Sequence, residues 1–387
     1  MTSTRQARKD LEAQQAAYLY AVHGMTQGEI GRLLGGLSQS RVSRLLKRAE
    51  DRGWLVRTYR FVAERVSPER VAQLKRFVEP SSLVECLAAV ESRTGVRVRD
   101  VHVVDSGSST QAKRSLAARL VRFGRAAADP LSQLLRGSDV CAVTWGRTVS
   151  HCVDSISPAH WPRPSTHTIR FVPVCGEPLD RASDRDTSSH LARRLHDIVG
   201  STAPVPPSLT GVPALIPRSF RGPDALGIRK FVQQAASYKE VFGRSAPLIN
   251  QVDSLLTAVG PSSGPMGFIH DELLKAGSTP RKKLTTAALA QLVAGDIGGV
   301  LLPRPGLDTR GRDEVDALNG MWTGAKLSHL ERIAVQAGRS TRPGVIVVAM
   351  GGDDRAEILA EAIRHGLVNE LIVDRTLAEA LTRALKG

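Results

Sequence analysis

Apolar residues in the first part of the chain repeat at helical spacing, with interruptions at glycine. The stretch 11–23 has this spacing and ends before Gly24, which predicts a first helix. Thr26 and Glu29 have the spacing of a capping box and predict a short second helix that runs to Leu34. Two helices separated by a glycine turn are therefore expected before residue 35.

The third predicted helix covers 39–52 and is amphipathic, with Ser38 as its N-cap. Its apolar stripe follows the i, i+3, i+4, i+7 rule and consists of Val42, Leu45, Leu46 and Ala49. The other side carries serines and basic residues, and no acid occurs from Gln39 to Arg48. The strand-like segment WLVRTYRFV after Gly53 predicts a β-wing, so the first 60 residues are expected to form a winged helix-turn-helix.

From Gly95 onward the pattern changes to short apolar runs separated by helical segments. The runs rich in Val, Ile and Leu are 98–105, 138–146, 167–174, 253–260, 344–352 and 369–374, and helical patterns cover 110–128, 184–198 and 355–366. Alternating strands and helices predict an α/β fold with an open, mostly parallel sheet. The segment 201–224, rich in Pro, Ser and Gly, is expected to be a surface loop. The predicted domains are 1–60, a connector helix and linker at 61–93, and 94–387.

Charge favours a polyanionic partner. The formal net charge is +15 and the first 60 residues hold 11 Lys and Arg against five acids. The four cysteines and the histidines lack metal-ligand spacing, so free thiols and no metal or cofactor are expected. No apolar run approaches a membrane span, and the start has no signal peptide pattern, which predicts a cytoplasmic protein without a membrane partner.

The polar face of the third helix predicts binding to duplex DNA, because the second helix of a helix-turn-helix lies in the major groove. Base-edge candidates are Gln39, Ser40, Arg41 and Arg44, and phosphate candidates are Ser43, Lys47 and Arg48, with Ser38 beside them and Thr26 and Gln27 at the preceding helix. A solvated basic face without a ligand is the alternative.

Two strand-to-helix loops are candidate anion sites. In TWGRTV, Gly146, Arg147 and Thr148 follow a predicted strand and begin a helix, and MGGDDRAE repeats the arrangement with Gly351, Gly352 and Arg355. Backbone N–H groups at a helix start favour phosphate, although a buried strand end with a tight turn is the alternative. Asp253 and Asp296 lie at strand-associated positions, where they could bind sugar hydroxyls or serve as cap or turn residues.

Several segments resemble the SorC/DeoR-type sugar-binding transcriptional regulators. The stretch YLYAVHGMTQGEIGRLLGGLSQSRVSRLLKRAEDRGWLVR is similar to their winged helix-turn-helix, and CAVTWGRTV, VDSLLTAVG, LVAGDIGGVLL and PGVIVVAMGGDDRAEILAEAIRHGLVNELIVDRTLAEAL occur in the family's order. Arg355 stands where the family commonly has lysine, and Val-Asp-Arg at 373–375 departs from the family's TDE. The resemblance implies an effector domain similar to sugar-phosphate isomerases and deaminases, and assembly as a homodimer or homotetramer.

The function predicted from these features is a DNA-binding transcription regulator controlled by a small sugar or sugar phosphate. The alternative is a sugar-phosphate isomerase or deaminase with an appended DNA-binding module. In the sugar-phosphate isomerases and deaminases that the family's effector domain resembles, the corresponding loop carries an acid for proton transfer. Ser262 and Ser263 occupy this loop, AVGPSSG, here, so no catalytic residue is predicted. A third reading, a structural nucleoid protein, would bind DNA without sequence preference or effector.

Overall fold

The computed structural model describes residues 2–55, 66–67, 70, 81–104, 106, 116–157, 161, 168–178, 185–220, 223–262, 270–279 and 283–386. The predicted wing beyond Leu55 lies outside these residues, as does most of the predicted connector. Among the described residues, no helix is long and apolar enough to cross a membrane.

Three helices form the N-terminal unit: α1 Thr2–Ala21, α2 Gln27–Leu33 and α3 Gln39–Asp51. The predicted capping box is present, since the Thr26 side chain accepts from the Glu29 backbone N–H and Glu29 accepts from the Thr26 backbone N–H. Ser38 caps α3 by accepting from the Arg41 backbone N–H. The predicted apolar stripe of α3 is fully buried against α1 and α2, which confirms the three-helix arrangement.

The C-terminal unit is built on a six-stranded sheet in the order β1-β9-β8-β4-β2-β3, and every neighbouring pair is parallel. Its strands are β1 Asp100–Val104, β2 Val140–Val143, β3 Arg170–Pro173, β4 Ser254–Thr257, β8 Gly344–Ala349 and β9 Glu370–Asp374. All six predicted strands are found, shorter than their apolar runs. The open parallel α/β architecture is confirmed.

Helices cover both faces of this sheet. One face is covered by α5 Leu116–Leu135, α6 Arg147–Ser155 and α7 Ser188–Val199, whose buried residues share a cluster with Cys141, Val143 and Ile346. The other face is covered by α4 Ser81–Thr94, α13 Leu327–Ala337, α14 Asp353–Arg364 and α15 Arg375–Lys386. Since α6 follows β2 and α14 follows β8, the loops before these helices leave the same sheet edge toward opposite faces.

A second sheet was not predicted. Strand β5 Val259–Pro261 pairs antiparallel with β6 Val293–Ile297, which pairs antiparallel with β7 Val300–Pro303. The apolar run 253–260 therefore divides between two sheets, because the chain leaves the large sheet after Thr257. Pro261 is tolerated there because β5 is an edge strand. The remaining helices are α8 Pro223–Gln234, α9 Ala236–Phe242, α10 His270–Gly277, α11 Thr286–Leu292 and α12 Thr309–Asn319, with a 3-10 turn at Leu248–Gln251.

Two parts of the sequence prediction are corrected. The segment 201–224 is not a surface loop throughout, since Leu209, Val212 and Ala214 are buried in the main core and α8 begins at Pro223. The helical part of the predicted connector is also more than a linker: Leu83, Leu87 and Val90 of α4 belong to the C-terminal core. Glycine, proline and serine content misled the first prediction, because it does not report burial.

Candidate functional site

The predicted DNA-contacting face of α3 is exposed. The side chains on it that solvent reaches freely are Ser38, Gln39, Ser40, Arg41, Ser43, Arg44 and Lys47. The Arg44 Nε donates to the Ser40 carbonyl one turn back, at 3.4 Å, so its guanidinium lies along the exposed face. Arg44 and Lys47 thus offer a forked donor and a point charge on one accessible surface.

Acids on α1 engage two of the arginines that were predicted to meet DNA. Arg48 Nε donates to Asp10 Oδ1 at 2.8 Å, and the two side chains are 28% and 23% exposed. Arg41 lies 3.3 Å from Glu12 Oε2 and remains 53% exposed. The contact with Asp10 argues against Arg48 as a phosphate contact and makes it a link between α1 and α3. The sequence pattern missed this because the neutralising acids lie about 30 to 40 residues away.

The capping role of Thr26 also limits its predicted phosphate contact. Its hydroxyl lies 2.6 Å from the Glu29 carboxylate, to which it donates. Gln27 is half-buried at the start of α2. Of the two, Gln27 keeps the freer polar group for a phosphate.

The first candidate effector loop follows β2. Gly146 has φ 126°, which favours glycine, and precedes α6 without a side-chain cap. Its N–H donates to the Asp186 carbonyl at 3.1 Å. Thr148 is buried, whereas Arg147 is half-buried. Since its N-cap residue is a glycine, α6 begins without a side-chain hydrogen bond from the N-cap position to its first turn.

The second candidate loop follows β8 and has the same plan. Gly351 has φ 155°, and Gly352 precedes α14 without a side-chain cap to the helix. Arg355 is only 7% exposed, and one of its terminal nitrogens donates to the Met350 carbonyl. Its Nε is buried and has no hydrogen-bond partner. The predicted anion contact of Arg355 is thus limited to part of its guanidinium group, because one terminal nitrogen already donates to the loop backbone.

A buried carboxylate at the end of β9 organises this region. Asp374 accepts from the Gly351 N–H at 3.2 Å, the Leu377 N–H at 3.1 Å and the Ser106 hydroxyl at 2.6 Å. It also forms an ion pair with Arg119 of α5, with 3.2 Å between Arg119 Nη2 and Asp374 Oδ2. Sequence reasoning did not select Asp374 or Arg119. The available signal was an acid at the carboxyl end of a predicted strand.

The two loops act on each other electrostatically. Burial lowers the pKa of Arg355, and the charges of Arg147 and Arg119 lower it further. The carboxylates of Asp354 and Asp374 act in the opposite direction and raise that pKa. Three arginines from three different helices therefore interact electrostatically near one part of the sheet edge, where a bound anion would stabilise their charges.

Asp296 joins this region from the second sheet. Burial raises its pKa to about 6, while the hydrogen bond from the Gly299 N–H and the charge of Arg355 act to lower it. The Gly299 N–H donates to its Oδ2 at 2.9 Å. Asp296 also lines a small cavity with Ser262 and His270. The turn-residue interpretation holds for one oxygen, which accepts from the Gly299 N–H, and the carboxylate also interacts with the charge of Arg355.

Asp253 does not belong to the group. It lies just before β4, at the amino end of the sheet, and its Oδ2 accepts from the backbone N–H groups of Asp139 at 2.9 Å and Val140 at 3.3 Å. Its predicted effector contact is not supported, because the other candidates lie at the carboxyl ends of the strands. The carboxylate instead links the start of β4 to the start of β2, which is neither a local cap nor a turn.

No group of three or more His, Cys, Asp or Glu in the described part of the chain has the geometry of a metal site. Cys86, Cys141, Cys152 and Cys175 are free thiols, as predicted. Burial raises the pKa of Cys141 to about 12, which leaves that thiol protonated and unreactive.

Comparison with family models supports both halves of this picture. A MarR family model matches residues 9–60, and a model of a sugar-binding domain matches residues 89–210. The two matched domains follow each other in the order that the resemblance to the regulators implies. Both matched domains are those expected of the SorC/DeoR-type sugar-binding transcriptional regulators, which the chain resembles.

Solved structures share the fold of this regulator. The full-length sorbitol operon regulator SorC from Klebsiella pneumoniae shares 19% sequence identity with this chain. The match spans 96% of this chain and 98% of the SorC chain, with a TM-score of 0.52. A DeoR family transcriptional regulator from Listeria monocytogenes is 16% identical, with 78% and 100% covered and a TM-score of 0.52. A transcriptional regulator from Streptococcus pneumoniae is 15% identical, with 79% and 97% covered and a TM-score of 0.53. Comparison with curated protein sequences finds no match.

The regulator therefore combines a DNA-binding helix-turn-helix with a sugar-binding α/β domain, and it is a sugar-responsive transcription regulator.

Proposed function

We propose that the effector is a phosphorylated sugar that binds between the loops Gly146–Thr148 and Gly351–Arg355. The observation that carries the proposal is that two helix starts preceded by glycine lie at one edge of the sheet, where Arg119 pairs with the Asp374 that holds the Gly351 N–H and where Arg119, Arg147 and Arg355 interact electrostatically. Backbone N–H groups and guanidinium groups together suit a phosphate better than a neutral sugar. The buried, unpartnered Nε of Arg355 is a further donor at the same place.

Asp296 is proposed to accept from the sugar hydroxyls. Its pKa of about 6 means that the carboxylate is mostly ionised at neutral pH and can accept hydrogen bonds. An effector would then place its phosphate at the arginines and a sugar hydroxyl at Asp296. Gly352 is proposed to contribute its backbone only.

The experiment is a thermal-shift screen with triose, pentose and hexose monophosphates, the matching free sugars and inorganic phosphate. A sugar monophosphate should raise the melting temperature of the parent protein, and the matching free sugar should not. Arg147→Gln should abolish the shift, whereas Arg193→Gln, at an exposed arginine of α7, should retain it. A free sugar that shifts the melting temperature as much as its phosphate would refute the phosphate assignment.

An isomerase or deaminase activity is the second candidate, and one observation favours it. A carboxylate with a pKa near 6 beside an arginine is suited to proton transfer, so Asp296 could act as a base. Two assays distinguish an enzyme from a sensor. Isomerisation is measured with the sugar phosphates that bind, and ammonia release with the amino-sugar phosphates that bind. Turnover that Asp296→Asn removes would support the enzyme, and binding without turnover supports a sensor.

The proposal includes duplex DNA bound through α3 and assembly as a homodimer or homotetramer. Binding to DNA is consistent with the predicted cytoplasmic location.

A further inference from the structure

A largely buried ion pair joins the two domains. Arg122 of α5 donates from Nη2 to Glu29 Oε2 at 2.7 Å and from Nη1 to Glu29 Oε1 at 3.4 Å. The side chains are only 11% and 13% exposed. A two-pronged contact between charged groups with little solvent access is geometrically specific, unlike a surface ion pair.

Glu29 is also the carboxylate of the capping box that begins α2. Its Oε2 accepts from the Thr26 N–H at 2.8 Å and the Thr26 hydroxyl at 2.6 Å, so one oxygen serves both the helix start and the other domain. The turn before α2 packs on the same place, since a Cβ built on Gly24 would lie 3.7 Å from the Arg122 side chain and 3.8 Å from Ala126. Movement of Arg122 therefore acts directly on the first helix of the helix-turn-helix.

The same helix reaches the candidate effector site one turn earlier. Arg119 pairs with Asp374, and Asp374 accepts from the Gly351 N–H of the second effector loop. Residues three apart lie on one side of a helix, so α5 carries both arginines along one edge. Helix α5 is therefore connected to the second effector loop through Arg119 and to the DNA-binding unit through Arg122.

We propose that Arg122 is a positioning residue for DNA binding and that α5 couples it, through Arg119 and Asp374, to occupancy of the effector loops. The coupling to an effector rests on the proposed function above. An anion beside Gly351 and Arg355 competes with Asp374 for the guanidinium of Arg119. Release of Arg119 shifts α5 and changes the hold of Arg122 on Glu29.

The test is a mutant cycle that needs no effector. The probe is the duplex that the parent full-length chain enriches most strongly from a random-sequence library. Its affinity is measured for the parent, for Arg119→Gln, Arg122→Gln and Glu29→Gln singly, and for Arg119→Gln combined with each of the other two. Hydrogen exchange of the α2 amides gives a second measurement without DNA. Arg125→Gln is the matched control, because Arg125 is an exposed arginine on the same helix.

We expect Arg119→Gln to change the DNA affinity at least about 5-fold in the parent background and less than about 2-fold when Arg122 or Glu29 is already replaced. Exchange of the α2 amides should be faster in each single variant and unchanged in Arg125→Gln. A merely structural role of each residue predicts independent, multiplicative effects, which would overturn the proposal. An unchanged affinity and unchanged exchange in Arg119→Gln would overturn it as well.

This outcome is separable from the fate of the proposed effector. If no sugar phosphate binds but the cycle is non-additive, the effector assignment fails and the α5 connection stands. If a sugar phosphate binds and alters DNA affinity equally in the parent and in Arg122→Gln, the effector assignment stands and the α5 connection is refuted.

Discussion

Arg44 and Lys47 lie on one exposed face but should play different parts in DNA binding. Arg44→Ala is expected to cost about 1–3 kcal/mol on the preferred duplex and to relax one base position, since a guanidinium can pair bidentately with guanine. Lys47→Ala should weaken all duplexes alike and flatten the salt dependence, because a phosphate contact releases counterions. Affinities measured over a set of single-base variants at several salt concentrations separate the two. An unchanged preferred-duplex affinity in Arg44→Ala would mean that another face reads the bases.

His23 makes the folding stability of the protein depend on pH. It is 2% exposed, and burial, followed by the charges of Arg375 and His102, lowers its pKa from 6.5 to about 3. The unfolded chain takes up a proton below about pH 6.5, whereas the folded chain does not until about pH 3. The contribution of neutral His23 to the free energy of unfolding is therefore fully present above pH 6.5. It is lost as the pH drops toward 3, by up to about 1.4 kcal/mol per pH unit.

His23→Phe should flatten that slope, because phenylalanine keeps the ring packed against Tyr18 without a titratable group. The free energy of unfolding is measured by denaturant titration between about pH 7.5 and about pH 5. The control is His365→Phe at an exposed position. Equal slopes for His23→Phe and the parent would show that His23 is not the group responsible.

At the scale of elements, α2 and the turn after it depend on close backbone contact. An alanine Cβ at Gly31 would lie 2.2 Å from the Leu37 carbonyl oxygen, so Gly31→Ala must displace the turn. We expect a loss of about 1–3 kcal/mol in the free energy of unfolding, as for other overpacked sites. Gly28→Ala on the same helix has no atom within 4 Å of the new methyl group and should be neutral or gain up to about 1 kcal/mol. Denaturant titration of the pair checks this, and equal effects of the two substitutions would contradict the packing argument.

The same scale shows how far the sequence could predict the structure. Local signals were sufficient for α2 and α3, because Thr26, Ser38 and the apolar stripe each act within a few residues. The β6–β7 hairpin was overlooked although Gly298 and Gly299, both at positive φ, lie between two apolar runs. The Arg48–Asp10 contact, by contrast, depends on how α1 crosses α3, which no local pattern specifies.

The candidate site was also predictable only where its residues give a local sequence signal. The two glycine loops were found because each lies between a strand and a helix in sequence. Arg119 and Asp374 were not, since the parallel sheet brings together the ends of β8 and β9 and the start of α5, and sequence spacing does not show that meeting. The placement of Asp253 at the opposite end of the sheet likewise follows from strand direction, which its local sequence left open.

At the scale of the whole molecule, DNA recognition is expected to require more than one copy. Helix α3 has 13 residues, about 20 Å at 1.5 Å per residue, so a single copy can contact only one stretch of major groove. Helix-turn-helix regulators obtain specificity by pairing half-sites about 34–36 Å apart, or multiples of that distance. We expect a homodimer or homotetramer in light scattering at micromolar concentration, and two footprints at this spacing. Inserting about 5 base pairs between the half-sites should turn one half-site to the other side of the duplex and weaken binding, and inserting about 10 should restore part of it. A strictly monomeric protein with and without DNA, or equal affinity for both insertions, would contradict the pairing.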